Sequence, residues 1–170
     1  MVLENLDSIP TFDLPAPYAI RPYQADDETA WTQIHIHSDD LNPITPELFS
    51  QQFGSDPGLL RARQMYLVNE PGLPIGTGTA WFNPDFQGRN FGRVHWLAIV
   101  PEYQGRGLGK ALLSLICRRL VELGHEEAYL TTSFQRIKAI RLYLNFGFKP
   151  LISSSQEQEA WNELRDRIGR

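Results

Sequence analysis

Between Val94 and Leu113 the chain reads Val-His-Trp-Leu-Ala-Ile-Val-Pro-Glu-Tyr-Gln-Gly-Arg-Gly-Leu-Gly-Lys-Ala-Leu-Leu. An apolar run is followed by glycines at 105, 107 and 109 and then by a helical pattern. A glycine-rich turn that opens a helix leaves main-chain N–H groups free at the helix N-terminus, and the helix dipole adds partial positive charge. Such a turn takes an anion such as phosphate without one lysine per charge. Side chains at the three glycine positions would obstruct the anion's close approach. Three phosphate motifs are told apart by spacing. A P-loop requires glycine at 104 and a hydroxyl residue at 111, where this chain has Gln104 and Ala111. A dinucleotide fingerprint requires a third glycine at 110, which is Lys110. The spacing that fits is Gln-x-x-Gly-x-Gly, through Gln104, Gly107 and Gly109.

Other reactive side chains are few. Cys117 is the only cysteine, so an internal disulfide and a CxxC framework are excluded. It falls about ten residues into the helix that follows the loop, hence about 15 Å from it at 1.5 Å per residue, among Leu115, Ile116 and Leu120. Buried free cysteine there behaves as a small hydrophobe. His35, His37 and Asp39 imitate a metal cluster, but residues two apart on a helix do not face each other, and no metal site is expected. His95 interrupts an apolar strand, and strand alternation predicts it on the same side as Leu97 and Ile99. An unpartnered polar group there would be costly, so it needs either a partner or a task.

A second segment, Ala139-Ile-Arg-Leu-Tyr143-Leu-Asn-Phe-Gly147-Phe148, has the form A-x-x-L-Y-x-x-x-G-F. With both segments in this order the chain resembles the GNAT superfamily of acyl-CoA-dependent N-acetyltransferases, over roughly residues 18–152. The resemblance implies an α/β fold with a mixed, mostly antiparallel central sheet flanked by helices and splayed at the strand that binds acetyl-CoA. It implies acetyl-CoA as the acyl-donor substrate and no metal. In the family the strand before the loop pairs through its main chain with the pantetheine arm, which corresponds here to Leu97, Ala98 and Ile99. The loop residues Gln104, Gly105, Arg106, Gly107, Leu108, Gly109 and Lys110 would hold the pyrophosphate through their amides.

Tyr143 matches the family's general acid. A phenol with a reference pKa near 10 is protonated at neutral pH and can protonate a departing thiolate. The alternative is a core tyrosine whose hydroxyl bonds a carbonyl. His95 stands where serotonin N-acetyltransferase, a similar protein, uses a histidine to relay the amine proton; the alternative is a core histidine bonded to a neighbouring element. Some family members carry a glutamate base where this chain has Thr131. Many place an asparagine on the pantetheine arm where this chain has Arg136, which would reach a coenzyme A phosphate or face solvent. The connection between the first two helices lines the family's acceptor pocket, and here Asp39 and Asp40 offer carboxylates to an ammonium group, or merely form a solvated capping turn. The segment Trp81–Phe91, with Asp85, Phe86 and Phe91, would add an aromatic wall to that pocket or cover the sheet edge. The function implied is direct transfer of an acetyl group to a primary amine of a small molecule or peptide within a ternary complex. The alternatives are a non-catalytic acyl-CoA-binding or regulatory module, or transfer of a longer acyl group.

These residues need a scaffold that brings the end of a strand, a helix N-terminus and a second helix together. Residues 1–17, with three prolines, read as an extended arm ahead of one N-acetyltransferase domain over 18–170 that includes a C-terminal helix. Tyr18–Pro22, Gln64–Asn69, Pro74–Phe82, Arg93–Val100, Ala128–Thr132 and Phe148–Ile152 are strand patterns. Asn83–Gly92 reads as a polar loop. Arg93–Val100 is apolar on both faces, which marks a central, doubly covered strand. Helical patterns cover Thr29–His37 behind Asp26 and Asp27, a segment starting at Thr45-Pro46, Gly107–Leu123, Ile137–Phe146 and Gln156–Ile168.

The 170 residues carry 16 basic and 20 acidic side chains, a net charge of −4. With no basic footprint, a nucleic-acid partner is not expected. No apolar run approaches a membrane span, and the N-terminus lacks the basic-then-apolar order of a signal peptide, so the expected location is cytoplasmic with no membrane partner. Monomer and homodimer both stay open.

Overall fold

The computed structural model describes residues 1–169. A six-stranded sheet runs in the order β1-β6-β5-β4-β3-β2. Its strands are β1 (Val2–Leu3), β2 (Ala19–Pro22), β3 (Gln64–Val68), β4 (Pro74–Phe86), β5 (Arg89–Ile99) and β6 (Ala128–Tyr129). Every neighbouring pair is antiparallel except β5 and β6, which are parallel. The sheet is therefore mixed and mostly antiparallel, as expected. Helices α1 (Asp27–Ser38), α2 (Leu48–Phe53) and α3 (Pro57–Arg63) cover one face through Trp31, Phe49, Phe53 and Leu60. Helices α4 (Leu108–Glu122) and α5 (Ile137–Asn145) cover the other through Leu112, Ile116, Leu120 and Tyr143. α6 (Ser155–Ile168) follows, with Ser154 capping the Glu157 amide. Among the described residues no helix is long and apolar enough to cross a membrane.

The structure differs locally from the sequence reading in several places. The segment 1–17 carries more structure than an extended arm. Val2 and Leu3 pair with Tyr129 and Ala128, Val2 also exchanges main-chain hydrogen bonds with Lys149, and Leu3 and Leu6 are buried. The strand expected over Phe148–Ile152 accordingly reduces to a bridge at Lys149, because Pro150 has no N–H with which to continue the ladder. The expected polar loop Asn83–Gly92 is a hairpin. β4 and β5 meet at Gln87 and Gly88, whose φ values of 54° and 76° form the left-handed pair of a two-residue turn. Phe86 stacks on Tyr129 with ring centroids 4.0 Å apart, and Phe91 is buried, so the hairpin covers the sheet at β6.

α1 starts at Asp27, two residues before the expected Thr29, and neither aspartate caps it: Asp26 has a left-handed φ and makes no cap bond, while Asp27 lies inside the helix and pairs with Arg21 at 2.6 Å. The second helix starts at Leu48 rather than at Thr45. α3 was not read from the sequence although its signal is present, since Asp56 accepts from the Gly58 and Leu59 amides and Pro57 occupies the first helical position.

The remaining irregularity lies in β5. Thr79 pairs with His95 and Thr77 with Ala98, so Trp96 and Leu97 together oppose Gly78 in a β-bulge. Trp96 has φ 49°. The bulge inverts the alternation at this point. Val94, Leu97 and Ile99 pack with the α4 core, whereas Trp96 and Ala98 pack with the α1–α2 core. His95, whose ring lies 5.5 Å from that of Phe53, is therefore on the face opposite Leu97 and Ile99, not beside them.

Candidate functional site

The glycine loop forms one end of a cleft of about 870 Å³. Gly105 and Gly107 have φ values of 77° and 80°, and a Cβ on either would meet nothing within 4 Å. Both positions thus combine a backbone that favours glycine with open space outside it. Gly109 differs, because its Cβ would lie 3.5 Å from Leu142 in ordinary van der Waals contact, and its φ is not left-handed. The main-chain amides of residues 105–109 have no acceptor among the described residues, and the first intrahelical bonds come from Lys110 and Ala111 to the Gly107 carbonyl. Gln104 fixes the loop to the strand before it by donating from Nε2 to the Ile99 carbonyl at 2.8 Å. Arg106 contributes only its amide. Its guanidinium donates to the Tyr18 hydroxyl and the Glu102 carbonyl and stays out of the cleft.

β5 forms the cleft floor. It pairs with β6 only at Gly92 and Arg93, so its later residues lack a neighbour on that side. Val100 donates its amide to the Ile75 carbonyl of β4, and by alternation the amides of Ile99 and Leu97 point the opposite way, into the gap. Leu97, Ala98 and Ile99 all line the cleft. Unpaired strand amides beside a cradle of loop amides suit an extended ligand that carries a phosphate at one end and hydrogen-bonding groups along its length.

α5 supplies the third wall, with Arg136, Lys138, Ala139, Leu142 and Tyr143 lining it. Tyr143 is 7% exposed, and among the described residues nothing hydrogen-bonds its hydroxyl, so the carbonyl bond of the core-tyrosine alternative is not formed. Burial pushes the phenol up to about 12, against the opposing pull of the Arg136 charge. The group stays protonated through neutral pH. Lys138 was missed in the sequence. Its signal is its place in the first turn of α5 just after Arg136, and both cations line the cleft. Cys117 is fully buried outside the cleft, and burial pushes its thiol up to about 12.

Two expected site groups are engaged elsewhere. His95 does not line the cleft. It lies on the α1–α2 face with Nε2 3.1 Å from Gln52 Oε1, and burial together with the Arg93 and His35 charges pushes it down to about 3. Asp39 lines the cleft but its carboxylate is taken. Oδ1 accepts from the Leu41 amide at 2.9 Å and from Arg136 at 2.6 Å, and Oδ2 accepts from Asn42 Nδ2 at 2.8 Å. Arg136 is half-buried and paired through one guanidinium nitrogen with Asp39, which ties the end of α1 to the start of α5 across the cleft. Asp40 also lines the cleft and remains exposed.

Burial would raise the Asp39 carboxyl, but the hydrogen bonds from Asn42, Leu41 and Arg136 and the Arg136 charge outweigh it and hold the pKa below the ordinary value. A depressed folded-state pKa contributes stability that is present above the unfolded-state value and is lost as pH falls through the folded one. Asp39→Asn is expected to lower unfolding stability by about 1–2 kcal/mol at pH 7 and to flatten the loss of stability on acidification below about pH 4, as read by denaturant titration across pH.

A family model described as Acetyltransferase (GNAT) family matches residues 15–148. Over 150 residues the chain is 27% identical to the mycothiol acetyltransferase of Pseudarthrobacter chlorophenolicus, covering 82% of this chain and 45% of that protein. Over 62 residues it is 45% identical to the spermine/spermidine N(1)-acetyltransferase of Bacillus subtilis, covering 34% of this chain and 40% of that protein. The matched stretches thus span less than half the length of these curated relatives. The crystal structure of a GCN5-related N-acetyltransferase from Sphaerobacter thermophilus superposes with a TM-score of 0.68 at 22% identity, covering 86% of this chain and 46% of that one. At that identity the likeness is one of fold.

Proposed function

The chain belongs to the acetyltransferase (GNAT) family, and from that premise we propose that it transfers the acetyl group of acetyl-CoA directly to a primary amine of a small molecule or peptide. The observation that carries this reading is that one cleft joins the unpaired loop amides, the unpaired β5 amides and Tyr143, whose hydroxyl has no protein partner among the described residues. Its volume suits a ligand-sized guest, for which roughly 300–1,000 Å³ is usual. The loop amides from Gly105 to Gly109 would bind the pyrophosphate, with the Lys110 and Lys138 side chains adding positive charge. The Leu97 and Ile99 amides would bind the pantetheine arm and polarise the thioester carbonyl. The amine nitrogen attacks the carbonyl carbon, the C–N bond forms as the C–S bond breaks, and Tyr143 gives its proton to the departing thiolate. Among the described residues no histidine lines the cleft, so in this reading the amine proton leaves to water rather than to His95.

The charges lining the cleft bear on the acceptor. Lys110, Arg136 and Lys138 face Asp39 and Asp40, and Asp39 is already paired. Asp40 alone remains for an ammonium group. A polycation such as spermine is poorly matched to that balance, and an acceptor with one amine fits it.

The reading is tested with purified protein, acetyl-CoA and a panel of monoamines, peptides and polyamines, by following thiol release. Acetylation of a monoamine or peptide with intersecting initial-rate lines is expected, because among the described residues no cysteine lines the cleft to hold the acetyl group. Cys117→Ala should leave turnover within about twofold, since nucleophilic catalysis needs an accessible, activated thiolate. Parallel lines, or label retained on Cys117, would refute direct transfer. Tight acetyl-CoA binding with no acetylation across the panel would instead favour a binding module.

A further inference from the structure

Trp96 holds a left-handed backbone next to the cleft, a conformation that a bulky side chain seldom adopts. The peptide unit that follows it carries the Leu97 N–H, so the Trp96 backbone decides where that N–H points. The indole is held from three sides. Its ring packs edge-on against Trp31 at 5.2 Å and against His35 at 5.0 Å. Its Nε1 donates to Gln52 Oε1 at 3.0 Å. The same oxygen lies 3.1 Å from His95 Nε2. An indole N–H only donates and a carbonyl oxygen only accepts, so Trp96 fixes the orientation of the Gln52 amide, and His95 must carry its proton on Nε2. One acceptor on α2 therefore receives two donors from consecutive residues, the first bulge residue Trp96 and His95 immediately before it. Among the described residues these are the only side-chain hydrogen bonds from α2 to the sheet. Gln52 itself does not line the cleft.

We propose that Gln52 is a positioning residue for the acyl donor: by accepting from Trp96 and His95 together it holds the bulge in the conformation that aims the Leu97 N–H into the cleft, at the thioester carbonyl. This rests on the acetyl-donor reading of the cleft. The bulge gives β5 a second consecutive side chain on the α1–α2 face, and strand alternation alone would return Trp96 to the other face. Loss of the shared acceptor removes the polar tether that opposes that return. His95 stays neutral across the physiological range, so the tether does not titrate there.

Acetyl-CoA and CoA differ only in the acetyl group, so the ratio of their affinities isolates the carbonyl contact from the loop and the pantetheine arm. Calorimetry on the full chain is expected to show a three- to tenfold preference for acetyl-CoA, about the worth of one hydrogen bond. Gln52→Leu should hold CoA affinity within about twofold and abolish the preference. Gln52→Glu keeps an oxygen acceptor for both donors and should restore it. If thermal melting shows that Gln52→Leu does not fold, Trp96→Phe removes the indole N–H while keeping an aromatic ring, and the same selective loss is expected. A preference that survives Gln52→Leu or Trp96→Phe, an equal weakening of both ligands, a Glu variant that fails to restore it, or a wild-type protein indifferent to the acetyl group would each overturn the proposal. A wild-type protein that binds neither ligand would overturn the acetyl-donor reading as well, which separates the two failures.

Discussion

Tyr143→Phe is expected to lower turnover about 10²–10⁴-fold, the usual worth of a positioned general acid. The substitution deletes one oxygen and keeps the ring, which packs edge-on against Phe148 at 6.0 Å. Because nothing hydrogen-bonds the hydroxyl among the described residues, its removal strands no partner, and unfolding stability should change by less than about 1 kcal/mol. Acetyl-CoA affinity should hold, since the loop amides are untouched. The pH dependence follows from the direction of the shift. A phenol pushed up to about 12 is in its active, protonated form across the neutral and mildly alkaline range. The rate should therefore rise with pH as the acceptor amine loses its proton, with no falling alkaline limb below about pH 10. Full activity of Tyr143→Phe on a genuine acceptor would make the tyrosine a core residue. A falling limb near pH 8 that disappears in the variant would contradict the raised pKa.

Gly107→Val should cost the protein its coenzyme A affinity by about 100-fold or more, equivalent to at least about 2.7 kcal/mol of binding. Two effects act in the same direction. A β-branched residue at φ 80° is strained, at a cost on the order of 1–3 kcal/mol, so the loop relaxes and its amides no longer converge. The new side chain also projects into the open space that the phosphate needs, where no protein atom lies within 4 Å of the added Cβ. That same open space means no clash with the core, so thermal melting should show a folded protein with a modest loss of stability. Unchanged affinity by calorimetry would remove the pyrophosphate from this loop.

The glycine loop and the Tyr143 segment were readable from the chain alone because each is a local device. A positive-φ turn, a helix N-terminus and a helical face repeat within a few residues of sequence, and nothing distant can rearrange them cheaply. The same holds for the long helices and for the doubly covered strand β5. Gln104 is partly of this kind: its place in the motif was evident, while its bond to the Ile99 carbonyl, which explains the residue type, required the folded loop.

What the chain alone could not convey depends on residues far apart in sequence. His95 was expected beside Leu97 because a regular strand alternates, and one extra residue opposite Gly78 reversed its side. A bulge is set by the partner strand and by the packing around it, here by Trp31 and Gln52, and neither is encoded near residue 95. Asp39 looked free for an ammonium group until Arg136, 97 residues away, was found on its carboxylate. The first residues joined the sheet because β6 and Lys149 offered main-chain partners on both sides of Val2. Local propensity and short motifs thus determined the long helices, the main strands and the glycine loop. Which face His95 meets, which carboxylate stays available and which amides remain unpaired were decided by long-range contacts, since hydrogen bonds and ion pairs between distant segments exist only once the sheet has brought them within about 3 Å.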